Sequence, residues 1–217
     1  MSPLADSAKQ TLLDVARRAV KLAAERGKLL EDIPRDEVLE RPAGAFVTLH
    51  RHGRLRGCVG QLASKEPLIS VVAYCAMAAA LEDPRFDPMT AAEFEGLAIE
   101  ISVLSALADI SPGEIETGRH GLLVSSDDGG RGGRRGVLLP QVAGEFGWTA
   151  ERFLEETCVK AGLEREAWKR AGTRVQGFTA EVFSEAEFHC GTRNSPGGSG
   201  RNSGNNPANG SASNSAK

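Results

Sequence analysis

Residues 54–60 read RLRGCVG, with Arg54, Arg56 and Cys58 at every second position and Leu55, Gly57 and Val59 between them. Side chains alternate sides along a strand, so this spacing predicts both guanidiniums and the thiol on one face, Arg56 and Cys58 about 6.6 Å apart. A free thiol titrates near about 8.5, and a neighbouring guanidinium lowers that value enough to make a nucleophile. Gly57 and Gly60 lack a Cβ, so a ligand or another backbone can come close there. The same cysteine also suits a structural role, because unpaired cysteine is among the most buried residue types.

Other candidates lie further along. In DPRF (83–86), Asp83 can pair with Arg56 or Arg54, and the planar fork of Arg85 can bind an anionic ligand. The plainer alternative is an ion pair that locks the loop. Glu100 stands on the less apolar side of an alternating stretch, where an acid needs a cation; it reads as the counter-charge to Arg56 or as a general base. Gln141, just after Pro140, can orient a ligand or cap a turn, and His120 can move a proton or hold a hydrogen bond. His50 and His52 have metal-ligand chemistry, but no further spaced ligand accompanies them, so they read as a hairpin tip and no metal site is assigned.

The elements that must position these groups are legible from periodicity. Leu12, Val15, Ala16, Ala19, Val20 and Ala23 recur at helical spacing, with Gly27 as the stop. AFVTLHRHGRLRGCVGQL predicts two strands turning near His52-Gly53. Pro67 suits the first position of an apolar, alanine-rich helix, with Ser64 or Glu66 capping it and Asp83-Pro84 ending it. Thr90 and Glu93 form a capping box. LAIEISVLSAL (97–107) alternates as a strand, GLLVSSDDGGRGGRRGVLLPQV holds two short strands around a glycine-rich loop, and Thr149 caps a helix stopped by Gly162. VQGFTAEVF (175–183) closes the sheet, with Phe178, Ala180 and Val182 on one face.

Composition bounds the rest. The chain is 41% hydrophobic and 25% charged, with a formal net charge of -3. That balance disfavours binding through phosphate attraction, and RGGRRG has no aromatic for base stacking, so no nucleic-acid partner is expected. The apolar run at 68–81 is shorter than the roughly 20 residues a bilayer takes, so no membrane partner is expected either. Cys58, Cys75, Cys158 and Cys190 show no CxxC pairing, and the N-terminal stretch has no secretory pattern, which together predict reduced thiols and a cytoplasmic location. Residues 191–217, rich in Gly, Ser and Asn, bury nothing against an ordering cost of about 1–2 kcal/mol each, and read as a disordered tail behind a domain at 1–190.

LRGCVG resembles the LRGCIG signature of the AMMECR-domain family, the protein A component of the AmmeMemoRadiSam system. Family-like stretches continue in order with PLISVVAYCAMAAALEDPRFDPM, LAIEISVLSAL, GRHGLLV, GVLLPQV and GWTAERFLEETCVKAGL, over roughly residues 8–185. The resemblance implies an α+β fold, a mixed sheet with packed helices in which a larger and a smaller subdomain share one unit. It makes the signature the functional centre, with Cys58 and Glu100 as catalytic candidates and Arg56, Gly57, Gly60, Asp83, Arg85, His120 and Gln141 as substrate-binding ones. A Memo-like protein and a radical SAM protein are the partners it implies, and it names no cofactor. The loop at 125–136 is longer than the family pattern, and the tail has no counterpart there. Two readings follow: an enzyme component with an arginine-activated cysteine, or a non-catalytic scaffold docking one of those partners.

Overall fold

A computed structural model describes residues 3–126 and 133–189. Residues 127–132 of the loop at 125–136 and all of the predicted tail lie outside the described residues. Helix α1 (Asp6–Arg26) buries the predicted stripe, and the Gly27 N–H closes it on Ala23 O with φ 63°. Strands β1 (Ala45–Arg51) and β2 (Arg54–Gln61) form the predicted hairpin. Its two turn residues, His52 and Gly53, both have positive φ, the backbone of a two-residue turn that matches strand twist. Helix α2 (Leu68–Leu81) is buried on nearly every side. It begins one residue later than expected, because Pro67 is its N-cap and no side chain caps it. Among the described residues no helix is long and apolar enough to cross a membrane.

The remaining strands are β3 (Leu97–Leu104), β4 (Ala108–Asp109), β5 (His120–Ser126), β6 (Arg134–Leu138) and β7 (Thr173–Ser184). Short helix α3 (Pro140–Glu145), helix α4 (Ala150–Lys160), capped by Thr149 as expected, and α5 (Glu185–His189) complete the set. Among the described residues the sheet runs β2-β1-β3-β7-β5-β6, with β4 paired to β7. The fold is α+β, but every ladder is antiparallel, which corrects the mixed sheet expected. The reason is topological. The crossover through α2 leaves β2 and β3 running the same way, and β1 fills the space between them, so each pairs only with an opposed neighbour.

Two lobes share β7. Its C-terminal half pairs with β3 over the core of α1, α2, β1 and Phe183; its N-terminal half pairs with β5 beside a smaller core of Leu122, Phe153 and Leu154. Glu185, just after β7, ties this part of the chain to α1 and β3: it takes the Arg17 guanidinium and, at 2.9 Å, the Ile99 N–H.

At the two signature glycines it is the fold itself that comes close, the packing alternative the sequence allowed. A Cβ at Gly57 would lie 2.0 Å from the Ala79 carbonyl oxygen of α2, and one at Gly60 would lie 2.2 Å from the Phe46 ring. Gly57→Ala is therefore expected to lower stability by about 1–3 kcal/mol through overpacking, read as a fall in melting temperature. Gly113→Ala, where a Cβ meets nothing within 4 Å, is the control and should stay within about 0.5 kcal/mol.

Candidate functional site

Strand pairing runs Thr48 with Cys58 and Leu49 with Gly57, then jumps to His50 with Leu55. Arg56 is the extra residue of a β-bulge, and the alternation breaks there. Leu55 joins the face of His50 and is 42% exposed. Arg56 turns to Glu93 instead, Nε to Oε1 at 2.8 Å and Nη2 to Oε2 at 3.2 Å, with Nη2 also 2.9 Å from Asp87 O. Its guanidinium lies over the Phe86 ring, and Arg51 approaches the same carboxylate at 3.9 Å. Cys58 meets a different group: the Thr48 hydroxyl donates to its Sγ at 3.4 Å. The expected face of Arg54, Arg56 and Cys58 does not form, because Arg56 turns to Glu93; the guanidinium beside the Cys58 thiol is that of Arg85.

Asp83 pairs with neither Arg56 nor Arg54. Arg85 grips it with Nε to Oδ1 at 2.9 Å and Nη2 to Oδ2 at 2.7 Å. The Cys58 N–H donates to Asp83 Oδ2 at 2.8 Å, and Arg85 Nη2 reaches Cys58 O at 3.4 Å. Both outward backbone groups of Cys58 are thus satisfied, and the pair closes the free edge of β2 where another chain would otherwise add. Thr48 and Cys58 are consequently a non-hydrogen-bonded pair, the kind that brings side chains closest. Arg85, with the Cys58 and Arg85 N–H groups, holds the Asp83 carboxyl well below the usual carboxylate range against the opposing effect of burial. DPRF thus holds an ion pair between Asp83 and Arg85 that locks the loop, with the Arg85 side chain still 54% exposed.

The opposite, open face of the sheet carries a row across four strands: Cys58, Thr48, Glu100 and Ser184. Glu100 is half-buried, and no hydrogen bond or ion pair from the described residues reaches its carboxylate. It is not the counter-charge to Arg56; Glu93, on the other side of the sheet, is. Glu100 instead borders a groove of about 500 Å³ together with His50, Gln141, Glu145, Ala180 and Val182, closed by Gly118 and Pro140. Gln141 lies in the first turn of α3 and lines the groove. Phe178, Ala180 and Val182 do share a side of β7, and Val182 is 43% exposed in the groove while Phe183 enters the core.

His120 is brought to a separate place. Its Nδ1 accepts the Glu116 N–H at 3.0 Å, and it lines a cavity of about 310 Å³ with Asp109, Glu114 and Thr179 in the smaller lobe. His52 packs against Gly96 at the hairpin tip, apart from His50. Among the described residues no three His, Cys, Asp or Glu side chains are grouped to hold a metal ion. Sequence reasoning had used Glu93 only as a cap and did not single out Glu145 or the groove role of His50. No local signal links residues 56 and 93.

The architecture defines a class: a two-lobed α+β protein on one antiparallel sheet, with an arginine–carboxylate lock on the edge hairpin and an open groove behind it. The AMMECR1 family model matches residues 13–183, and the chain belongs to that family. A protein of Methanothermobacter thermautotrophicus is 38% identical over 194 residues, covering 85% of this chain and 97% of its own. Protein PF1979 of Pyrococcus furiosus is 40% identical over 199 residues, covering 85% and 91%. The crystal structure of the uncharacterized protein PH0010 from Pyrococcus horikoshii is similar with a TM-score of 0.74 at 37% identity, covering 84% of this chain and 93% of that one.

Two measurements test the lock and the thiol. Arg56, and then the Thr90 N–H, pull Glu93 from its ordinary 4.5 down to about 2. The folded form therefore stays ionised while the unfolded chain takes up a proton, so this contribution is full above about pH 5 and lost as pH falls towards 2. Glu93→Gln should cost about 1–3 kcal/mol near neutrality, since it removes the carboxylate charge that two guanidiniums share, and should flatten the acid limb of chemical denaturation against pH. An unchanged acid limb would show that another carboxylate governs it. Iodoacetamide should modify Cys58 well before Cys75 and Cys158, both fully buried, the Cys75 thiol pushed up to about 11 by that burial. Peptide mass spectrometry of native protein reads the order.

Proposed function

We propose that this AMMECR1-family protein is a small-molecule-binding component of the AmmeMemoRadiSam system, its protein A, and that the ligand occupies the groove between the open sheet face and α3. One observation carries this reading: Glu100, on a strand flanked on both sides, has no partner among the described residues and lines a groove of about 500 Å³. That volume lies within the range of ordinary small-molecule sites, roughly 300–1,000 Å³. Glu100 accepts a donor group of the ligand and is the base available to a reaction there. His50 and Gln141 orient the ligand from the floor and the wall. Cys58 belongs to the same row two strands away, about 10 Å from Glu100 at ordinary strand spacing. Arg56, Asp83 and Arg85 act indirectly, by fixing the edge strand that carries Cys58.

A second reading keeps the face and changes the occupant. Leu55 and Val182, exposed by 42% and 43%, suit an apolar contact with a Memo-like or radical SAM partner. A mixture of polar fragments titrated into isotope-labelled protein should shift the amides of His50, Glu100, Gln141 and Val182, and Glu100→Gln should remove the shifts. Fragment shifts confined to other surfaces would overturn the groove reading. Loss of partner capture in Leu55→Glu with capture intact in Glu100→Gln would favour docking.

A further inference from the structure

We propose that the groove selects a cation, an alkylammonium or guanidinium group held by the carboxylates of Glu100 and Glu145, with its methylene stem along Val182, Ala180 and Pro140. The proposal rests on the groove reading above and narrows it to one charge class. Among the described residues the lining supplies two carboxylates, one imidazole and one amide, and no lysine or arginine. Glu100 comes from the floor and Glu145 from the rim, so their charges meet a ligand from different elements. Neither carboxylate has a hydrogen bond or ion pair among the described residues.

The chain's own cations near the groove are committed elsewhere. Arg119, beside the groove residue Gly118, places Nη1 2.9 Å from both Glu116 oxygens. Arg51 follows the groove residue His50, yet it turns with Arg56 to Glu93 on the other side of the sheet. A half-buried carboxylate on a central strand has given up part of its hydration and gained no partner, so a cation entering the groove restores what folding removed. An anion would meet two like charges. Val182, 43% exposed beside Ala180 and Pro140, gives an apolar wall that suits an alkyl stem rather than a bare inorganic ion.

The same group is carried by a free amine or guanidine and by a lysine or arginine side chain of a polypeptide. Amide shifts of the full chain are therefore followed with agmatine, putrescine, acetyl-Ala-Arg-Ala-amide, butyrate and butanol. The cationic probes should shift His50, Glu100, Gln141 and Val182 saturably. Their affinity should fall about tenfold in Glu100→Gln, with a smaller fall in Glu145→Gln, both variants keeping the parent melting temperature. Agmatine binding more tightly than the tripeptide identifies a free ligand; the reverse identifies a side chain. Butyrate or butanol shifting these amides while the cations do not would overturn the cation assignment and leave the groove. Silence of the groove towards every probe would remove both. Cation shifts of equal affinity at exposed acids such as Asp32 and Glu95 would also overturn the assignment, reducing it to general charge attraction.

Discussion

The close approach of β2 to helix α2 is the constraint on which the rest is arranged. Gly57 sits against the Ala79 carbonyl with no room for a Cβ, so the edge strand lies directly on the helix backbone. The chain leaving α2 is then delivered to that same edge. Asp83 and Arg85 satisfy the outward N–H and C=O of Cys58, and Glu93, a few residues on, receives Arg56. An edge strand is ordinarily a liability, because its unpaired groups invite another chain. Here a buried carboxylate and a bidentate guanidinium do the work a further strand would do.

This arrangement divides the charges between the two sides of the sheet. On the helix-packed side, Arg51 and Arg56 converge on Glu93, which is itself positioned by its bonds to Thr90. On the open side, Thr48 contacts Cys58 and Glu100 stands unpaired before α3. The bulge at Arg56 makes the division possible. Without it, Arg56 would share the face of Cys58 and lie two strands from Glu100. With it, the guanidinium is withdrawn to the core side and the open face keeps a net negative character. The groove exists because β7 is long enough to serve both lobes, so α3 of the smaller lobe stands over the outer face of the larger lobe's strands.

Much of this architecture was legible before the structure. The first helix, the hairpin turning at His52-Gly53, the Thr90–Glu93 capping box, the alternating strand from Leu97 and the Thr149 cap all rest on neighbours within four residues or on a fixed period. That DPRF holds an ion pair locking the loop was legible as an alternative; that Arg85, rather than Arg56 or Arg54, is the partner of Asp83 was not. The candidate site was legible only in part. Glu100 and Gln141 were singled out and do border one groove, while His120 borders another. Arg56 was assigned to the wrong neighbour, because a period of two holds only until a residue is inserted.

The sequence by itself determined where most helices and strands lie, and that residues 54–60 form one strand of a hairpin, dense in charge and glycine. Those properties are local, set by backbone preference, capping and alternation. Only the tertiary structure decided which side of the sheet each charge occupies, that Glu93 rather than Glu100 answers Arg56, and that Glu100 is left open towards Gln141 and Glu145. Such pairings join residues 37 or more positions apart. Their partners are chosen by strand order, one bulge and the reach of side chains across packed elements, none of which leaves a periodic mark in the chain.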